Sequence, residues 1–184
     1  MLKCDTFVGT AGRGLGMMEA QLRVEVDGGV RIGCARGRSL ALYCHLMSRS
    51  RQQPGPQMRA TFATVSTRWT WRLPASDWGK LMFASRGALT VSTNSSVWVV
   101  PPHGAVWVPA LVAHEFETAP GAAMQTLYVQ PGTTRRLPDT CRAVRVSPLL
   151  RELLRRALQL ETLDRRNREQ RNLMAILLDE LAVL

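Results

Sequence analysis

The stretch WVVPPHGAVWVPALVAHEF, residues 98–116, determines how the rest of the chain is interpreted. Short runs of Val and Trp are interrupted by a Pro-Pro-His-Gly turn and by a second turn at Pro109, after which His114 follows. Val and Trp are enriched in β-strands, whereas Pro and Gly mark turns. The stretch therefore predicts short strands joined by tight turns. It also raises the question of whether His114 belongs to a metal site or lines a barrel that holds something else.

The same pattern continues on both sides of this stretch. Short segments rich in Val, Thr, Phe, Trp and Tyr are separated by turns that contain Gly, Pro or Asn, and no helical pattern lies between them. The predicted strands are RATFATV, KLMFAS, ALTVS, SVWVV, AVWVP, HEFET, MQTLYV and RAVRV. Strands at this spacing predict a mainly β domain over residues 60–146, an antiparallel sandwich or barrel.

The hydrophobic period changes after residue 146. Ser147 is a good N-cap and Pro148 suits the first helical position, so a helix is predicted from there. Glu152 and Arg156 are spaced as an i,i+4 ion pair on that helix. A second helix is predicted in QRNLMAILLDELAVL, so residues 147–184 form a helical segment.

The leucine stripes of both helices are longer than a small barrel can cover. We therefore expect them to form a self-association surface, in a homodimer or in a heterodimer with related proteins. The residues assigned to this dimerisation surface are Leu149, Leu150, Leu153, Leu154, Leu158, Leu177 and Leu181.

The first 59 residues show weaker signals. They contain Gly-rich turns, a possible strand in QLRVEV and a linker-like stretch, SRSRQQPGPQ. We expect residues 1–59 to be an N-terminal extension that is poorly ordered or loosely packed. The N-terminus lacks the apolar core of a secretory signal, and the run SLALYCHLM is about half the length of a membrane-spanning helix. The expected location is the cytoplasm, with no membrane partner.

The charge of the chain is strongly basic, with 24 Lys and Arg against 14 Asp and Glu, a formal net charge of +10. Lys3 and Lys80 are the only lysines in the sequence. Such a balance is compatible with nucleic-acid binding, but an Arg-rich composition also follows from a GC-rich coding sequence. The arginines near the C-terminus lie on the polar side of apolar helices, which is typical of a solvated surface.

The order of the motifs resembles that of a known family. DWGKLMFASRGALTV, WVVPPHGAVWVPALVAHEF, TLYVQPG, LPDTCRAVRVSPLLRELLRRAL and LLDEL look like the N-terminal cupin domain of AraC-type transcriptional regulators, over residues 68–184. The resemblance implies a cupin-like, double-stranded β-helix or jelly-roll barrel followed by two α-helices. It further implies that the barrel senses a small-molecule effector, that the helices dimerise, and that a helix-turn-helix half binds DNA. We find no such half in this sequence and expect a truncated or partial regulator.

The sequence departs from the family pattern at two sites. The His-x-His pair that usually precedes Asp-Trp-Gly is replaced by Pro74, Ala75 and Ser76. Leu111 stands where the turn before the last histidine usually carries Gly, and a positive φ there costs a bulky residue on the order of 1 kcal/mol. A functional metal site needs at least three converging ligands, so we expect no metal, no cofactor and no catalytic residue.

Two residues remain as candidate ligand-binding residues. His114 is expected to line the barrel as a polar residue, and Trp78 is expected to border an effector pocket next to the loop that lacks the histidines. A largely apolar pocket would suit a small, partly apolar or aromatic ligand. The resulting interpretation is a non-enzymatic sensing and dimerisation domain. The alternative is a stand-alone cupin enzyme, a metal-dependent oxygenase or isomerase.

Overall fold

The computed structural model describes residues 30–33, 55–134 and 137–183. Eleven strands and two helices lie in this part of the chain. The strands are β1 (Val30–Gly33), β2 (Met58–Val65), β3 (Trp69–Leu73), β4 (Gly79–Arg86), β5 (Leu89–Ser92), β6 (Val97–Val100), β7 (Gly104–Val108), β8 (His114–Thr118), β9 (Ala123–Val129), β10 (Arg142–Arg145) and β11 (Thr162–Leu163). The helices are α1 (Pro148–Leu160) and α2 (Arg168–Ala182).

The strands form two antiparallel sheets. In the larger sheet the order is β1-β2-β9-β4-β7-β10, with β11 also pairing to β2, and in the smaller sheet it is β3-β8-β5-β6. Consecutive strands alternate between the two sheets along much of the chain, as in a jelly roll. The prediction of a mainly β, cupin-like barrel followed by two helices is confirmed.

The larger sheet buries both of its faces. One face of β4 carries Leu81 and Phe83, which belong to a core shared with the two helices. The other face carries Met82 and Ala84, which pack in the barrel interior against the smaller sheet. Because side chains alternate along a strand, Lys80 lies on the interior face.

Three strands were not predicted from the sequence. β3 is half-buried along its length and pairs only with β8, at the edge of the smaller sheet. β11 has two residues, within the connection between the helices. β1 pairs with β2 in the register Val30 to Val65. The suggested strand QLRVEV lies outside the described residues.

The start of the domain can be described from residue 55 onward. Met58 and Arg59 are the first residues of β2, and Met58 is fully buried. The predicted strand RATFATV already began at Arg59, although the domain boundary was set at residue 60. The Gln57 N–H donates to the Leu163 carbonyl at 2.8 Å, so this segment also contacts the connection between the helices. Most of residues 1–59 lie outside the described part, and the boundary at residue 60 stays a prediction.

Helix α1 begins as the sequence predicted. The Ser147 hydroxyl accepts a hydrogen bond from the Leu150 N–H at 3.0 Å, and Pro148 occupies the first turn. The same hydroxyl donates to the Glu180 carboxylate at 2.8 Å, which connects the start of α1 to the end of α2. None of the described helices is long and apolar enough to cross a membrane.

The predicted ion pair between Glu152 and Arg156 is wrong. Glu152 pairs with Arg155 at 2.7 Å instead, one turn away on the same face of α1. Arg156 reaches across to Glu169 in the first turn of α2, also at 2.7 Å. The tertiary contact is available because the two helices pack side by side on the sheet.

Most of the leucines in the two stripes are buried within this chain and do not form the exposed surface that the sequence suggested. Four of the assigned dimerisation residues are fully buried in the core of this same chain, and for them the surface assignment is corrected: Leu150, Leu154, Leu177 and Leu181. Leu153 and Leu158 are partly buried against that core. Leu149 is 52% exposed, and Ile176 on α2 is 45% exposed. The larger sheet supplies the apolar partner that we had assigned to a second copy.

Candidate functional site

One end of the barrel interior is closed by two loops. Residues 74–78 connect β3 to β4, and residues 109–113 connect β7 to β8. The Leu111 N–H donates to the Ser76 carbonyl at 2.7 Å, which joins the two loops. Leu111 has a φ of 65°, so the turn keeps the left-handed conformation although a bulky residue replaces the expected glycine.

A row of polar side chains crosses the larger sheet at this end. Arg59 on β2 pairs with Tyr128 on β9, and Tyr128 pairs with Lys80 on β4. The row continues to Val108 on β7. All of these positions share the parity of the interior-facing residues, so the three polar side chains lie on the interior face. We call Arg59, Tyr128 and Lys80 the polar row.

Lys80 is a buried amine without a counter-ion. Its side chain is only 4% exposed, and burial lowers its pKa to about 8. Within the described residues, no acidic group or hydrogen-bond acceptor pairs with it. A buried cation that lacks a partner destabilises the folded state by several kcal/mol, so fold stability does not explain why a lysine occupies this position.

His114 faces the same region from the smaller sheet. It is 4% exposed, and its Nδ1 lies 3.0 Å from the Val112 carbonyl oxygen. A carbonyl only accepts, so Nδ1 carries the proton and Nε2 of the neutral ring is a bare acceptor. Burial first, and then the charge of Lys80, lower the pKa of His114 to about 4, against a smaller opposite effect of the Val112 hydrogen bond. The Nε2 atom is buried and has no partner in the described part.

Trp78 and Arg59 form a stacked pair beside the row. The guanidinium carbon of Arg59 lies 5.4 Å from the centroid of the Trp78 ring, a cation–π distance. Trp78 is 4% exposed, and burial lowers the pKa of Arg59. Among the described residues, neither Arg59 Nε nor Trp78 Nε1 has a hydrogen-bond acceptor, although both atoms are buried.

Apart from the buried Thr118 and Thr126, the remainder of the interior is apolar and aromatic. Trp69 and Trp71 pack edge to face at 4.7 Å, and Phe116 contacts both rings. The other walls come from both sheets and include Met82, Ala84, Leu89, Val91, Val106 and Val108. The interior therefore has one end with buried polar groups and a long apolar part.

The structure brings the two candidate ligand-binding residues to the same end of the barrel. Trp78 contacts Arg59, and the charge of Lys80 contributes to the low pKa of His114. Their role in binding stays a prediction. Sequence reasoning missed Arg59, Lys80 and Tyr128, although a lone lysine inside the apolar strand KLMFAS was a usable signal.

Metal-binding chemistry is poorly supported by the side chains at this end. In residues 55–134 and 137–183, no group of three or more His, Cys, Asp or Glu side chains could hold an ion. Pro74 and Ser76 lie in the loop next to the His114 strand and supply no imidazole. The donors at this end are the cation Lys80, whose charge acts on His114, and the pair Arg59–Trp78, and they suit an anionic or acceptor-rich group.

Among known proteins, a transcriptional regulator is similar to this chain in sequence. No protein-family model matches the chain. The HTH-type transcriptional regulator NimR of Escherichia coli strain K12 is 35% identical over 103 residues, which are 56% of this chain. The aligned part is 37% of NimR, so the chain spans little more than a third of that relative.

Two solved structures share the fold at low sequence identity. The AraC-like transcriptional activator CuxR matches with a TM-score of 0.52 and 10% identity, over 70% of this chain and 51% of CuxR. Apo ToxT of Vibrio cholerae matches with a TM-score of 0.51 and 6% identity, over 68% of this chain and 54% of ToxT. In sequence and in fold, the chain therefore resembles the N-terminal cupin domain of AraC-type transcriptional regulators.

Proposed function

We propose that this chain is the effector-sensing and dimerisation domain of an AraC-type transcriptional regulator. The observation that carries the proposal is the set of buried, unpartnered polar atoms at one end of the barrel, on His114, Arg59 and Trp78. Buried polar groups in native proteins are nearly always hydrogen-bonded. A small molecule that pairs with these atoms would supply the missing partners. The similarity to NimR supports a regulator rather than an enzyme.

The strands of the polar row also contact the helices. On β4, Lys80 faces the interior while the adjacent Leu81 packs in the core shared with α1 and α2. On β2, the N–H of Ala60, next to Arg59, donates to the carbonyl of Glu161 at 2.8 Å, just after α1 ends. A ligand that shifts these strands therefore changes the surface on which the helices pack. Ligand binding would shift the populations of different arrangements of the helices relative to the barrel.

Other parts of a regulator would respond to such a shift. We propose that the helical segment associates with a second copy, or with a related regulator, and that DNA is contacted through a helix-turn-helix half. The exposed residues Leu149 and Ile176 are the apolar positions on the helices that such a partner would cover. Light scattering on the purified protein at tens of micromolar tests the first point. A dimer that Leu149→Arg dissociates supports it, and a strict monomer refutes it.

Sensing is tested by screening for ligands. The purified protein is titrated with a panel of small metabolites while intrinsic tryptophan fluorescence and the thermal unfolding midpoint are recorded. A saturable change with at least one compound, reduced in His114→Gln, supports the proposal. No change with any compound contradicts it. Tight, stoichiometric iron, zinc or manganese, together with turnover of any compound, would instead favour the cupin-enzyme alternative.

A further inference from the structure

We propose that the ligand of the barrel is a small monocarboxylate with an apolar body, whose carboxylate binds between Lys80 and Arg59. This inference rests on the proposed sensing function and names its ligand class. It begins from the two cations of the polar row, which lie on the interior face at either side of Tyr128. Neighbouring strands are about 4.8 Å apart, so both long side chains can reach one group above Tyr128.

Three of the polar groups around this point are donors, while Nε2 of His114, on the opposite sheet, is an unpartnered acceptor. The ammonium of Lys80, Nε of Arg59 and Nε1 of Trp78 can each donate a hydrogen bond, and none of them can accept one. In the described part of the chain, Nε of Arg59 and Nε1 of Trp78 are buried without an acceptor. Lys80 has no acidic partner there, and burial alone lowers its pKa. A carboxylate has two oxygens with about four acceptor positions and one negative charge. It therefore meets both the hydrogen-bonding and the charge requirement of these three donors.

The apolar part of the interior determines the rest of the ligand. Beyond the polar row, the next interior positions of β4 are Met82 and Ala84, with the buried Thr126 beside Met82 on β9. The opposite sheet presents Phe116 and Val91. An alkyl or aromatic body attached to the carboxylate would lie against these side chains. A purely polar dianion would have to be desolvated against the same apolar wall, which disfavours inorganic phosphate.

Other ligand classes fit less well. A cationic ligand would be repelled by Lys80 and Arg59, which have no compensating acid among the described residues. A neutral ligand would leave the buried charge of Lys80 uncompensated. The carboxylate is the class that removes both the unpaired charge and the unpaired donors.

The experiment uses matched pairs of compounds with the whole protein. Octanoate and phenylacetate are titrated calorimetrically against octanamide and phenylacetamide, which have the same bodies without the charge. We expect the carboxylates to bind at least about tenfold more tightly than the amides, the factor that corresponds to one charge-assisted hydrogen bond. Inorganic phosphate and phenyl phosphate are included as the alternative anions.

Variants connect the binding to the polar row. Lys80→Met and Arg59→Gln are each expected to weaken carboxylate binding by about tenfold or more. Lys80→Arg keeps the positive charge and should bind carboxylates more tightly than Lys80→Met does. Arg155→Gln, which removes an exposed cation from α1, is the matched control and should bind as the wild type does. Because Lys80→Met removes an unpaired buried charge, its unfolding midpoint should not fall, so lost binding cannot be attributed to unfolding.

Each of the following results overturns the inference. The amides bind as tightly as the carboxylates, both row variants bind normally, the phosphates bind more tightly than the carboxylates, or no carboxylate binds at millimolar concentration. In these cases a neutral compound or a phosphate that binds in the metabolite panel would leave the sensing function intact. Failure of every compound in the panel would remove the sensing function itself.

Discussion

The backbone N–H of Leu111, a residue with a φ of 65°, donates to the carbonyl of Ser76 at 2.7 Å. The two loops that close the polar end of the barrel are thereby joined backbone to backbone. The left-handed conformation is retained although the residue that adopts it most easily, glycine, is absent. The strained residue therefore lies in a loop at the polar end of the barrel.

Leu111→Gly is expected to raise the free energy of unfolding by about 1 kcal/mol. A non-glycine residue in the left-handed conformation is destabilised by about 1–2 kcal/mol, and glycine removes this strain. Glycine also has more conformational freedom in the unfolded chain, which offsets part of the gain in stability. Little burial is lost, because Leu111 is 70% exposed. Urea unfolding of the variant and the wild type measures the difference.

Gly121→Ala is the reciprocal control for that experiment. Gly121 has a φ of 74°, and an added Cβ would meet nothing within 4 Å, so only backbone strain is introduced. The free energy of unfolding should fall by about 1 kcal/mol. If Leu111→Gly destabilises the protein while Gly121→Ala behaves as expected, strain at Leu111 is not the relevant quantity.

Gly79→Ala is expected to lower the free energy of unfolding by about 1–3 kcal/mol through overpacking. A Cβ at this position would lie 2.4 Å from the Trp107 ring. The ring cannot easily move away, since its Nε1 donates to the Pro138 carbonyl at 2.8 Å. Thermal and urea unfolding measure the loss.

The companion variant Trp107→Phe isolates the cause. Phe lacks the ring atoms that the new Cβ would meet, so adding Gly79→Ala to the Trp107→Phe background should be clearly less harmful than adding it to the wild type. An equal loss in both backgrounds would show that the backbone conformation of residue 79, and not the contact with Trp107, requires glycine.

The sequence predicted the fold well where local rules apply. Alternating strands such as HEFET and the Ser147-Pro148 helix start depend on neighbouring residues, and both were predicted correctly. The leucine stripes of α1 were predicted as apolar faces, but the sequence does not contain the identity of their partner. The chain's own sheet covers Leu150 and Leu154, a long-range fact that no local pattern records.

The polar row was missed for a related reason. β4 is buried on both faces from Gly79 to Ala84, so its sequence shows no alternation that would tell the interior face from the helix-facing one. Lys80 could be recognised as unusual in an apolar strand, but its direction follows only from the register with Tyr128 and Val108. Arg59 lies at the very start of β2, and the expected domain boundary excluded it.

Lys80→Met is expected to stabilise the protein in a pH-dependent way. The pKa of Lys80 is lowered from 10.5 to about 8, so below pH 8 the folded state holds an unfavourable charge. Between pH 8 and 10.5 the unfolded chain binds more protons than the folded one, and the wild type gains stability as the pH rises. The advantage of the variant should therefore shrink across this window, by on the order of 3 kcal/mol.

The comparison with the variant is needed because Tyr128 of the unfolded chain ionises in the same range, near pH 10. Burial raises the pKa of Tyr128, so its ionisation opposes folding at alkaline pH in both proteins. The difference between the two unfolding curves removes this shared effect. A difference that stays constant from pH 8 to 10.5 would mean that Lys80 is solvated or paired in the folded protein.

His114 is expected to make the protein acid-sensitive. Its pKa is lowered from 6.5 to about 4, so the stability that comes from the neutral ring is complete above pH 6.5 and is lost as the pH falls towards 4. The loss should be on the order of 3 kcal/mol and should be absent in His114→Gln. Urea unfolding over this pH range provides the measurement.

A second readout assigns the cause of the shift. Lys80 contributes to the low pKa of His114 through its charge, after the larger effect of burial. In Lys80→Met the His114 pKa, followed by NMR of the ring protons, should therefore rise but remain below 6.5. The neighbouring Arg59 and Tyr128 are unchanged in this variant, so the rise measures the charge of Lys80 alone. An unchanged pKa would show that the charge of Lys80 does not act on His114.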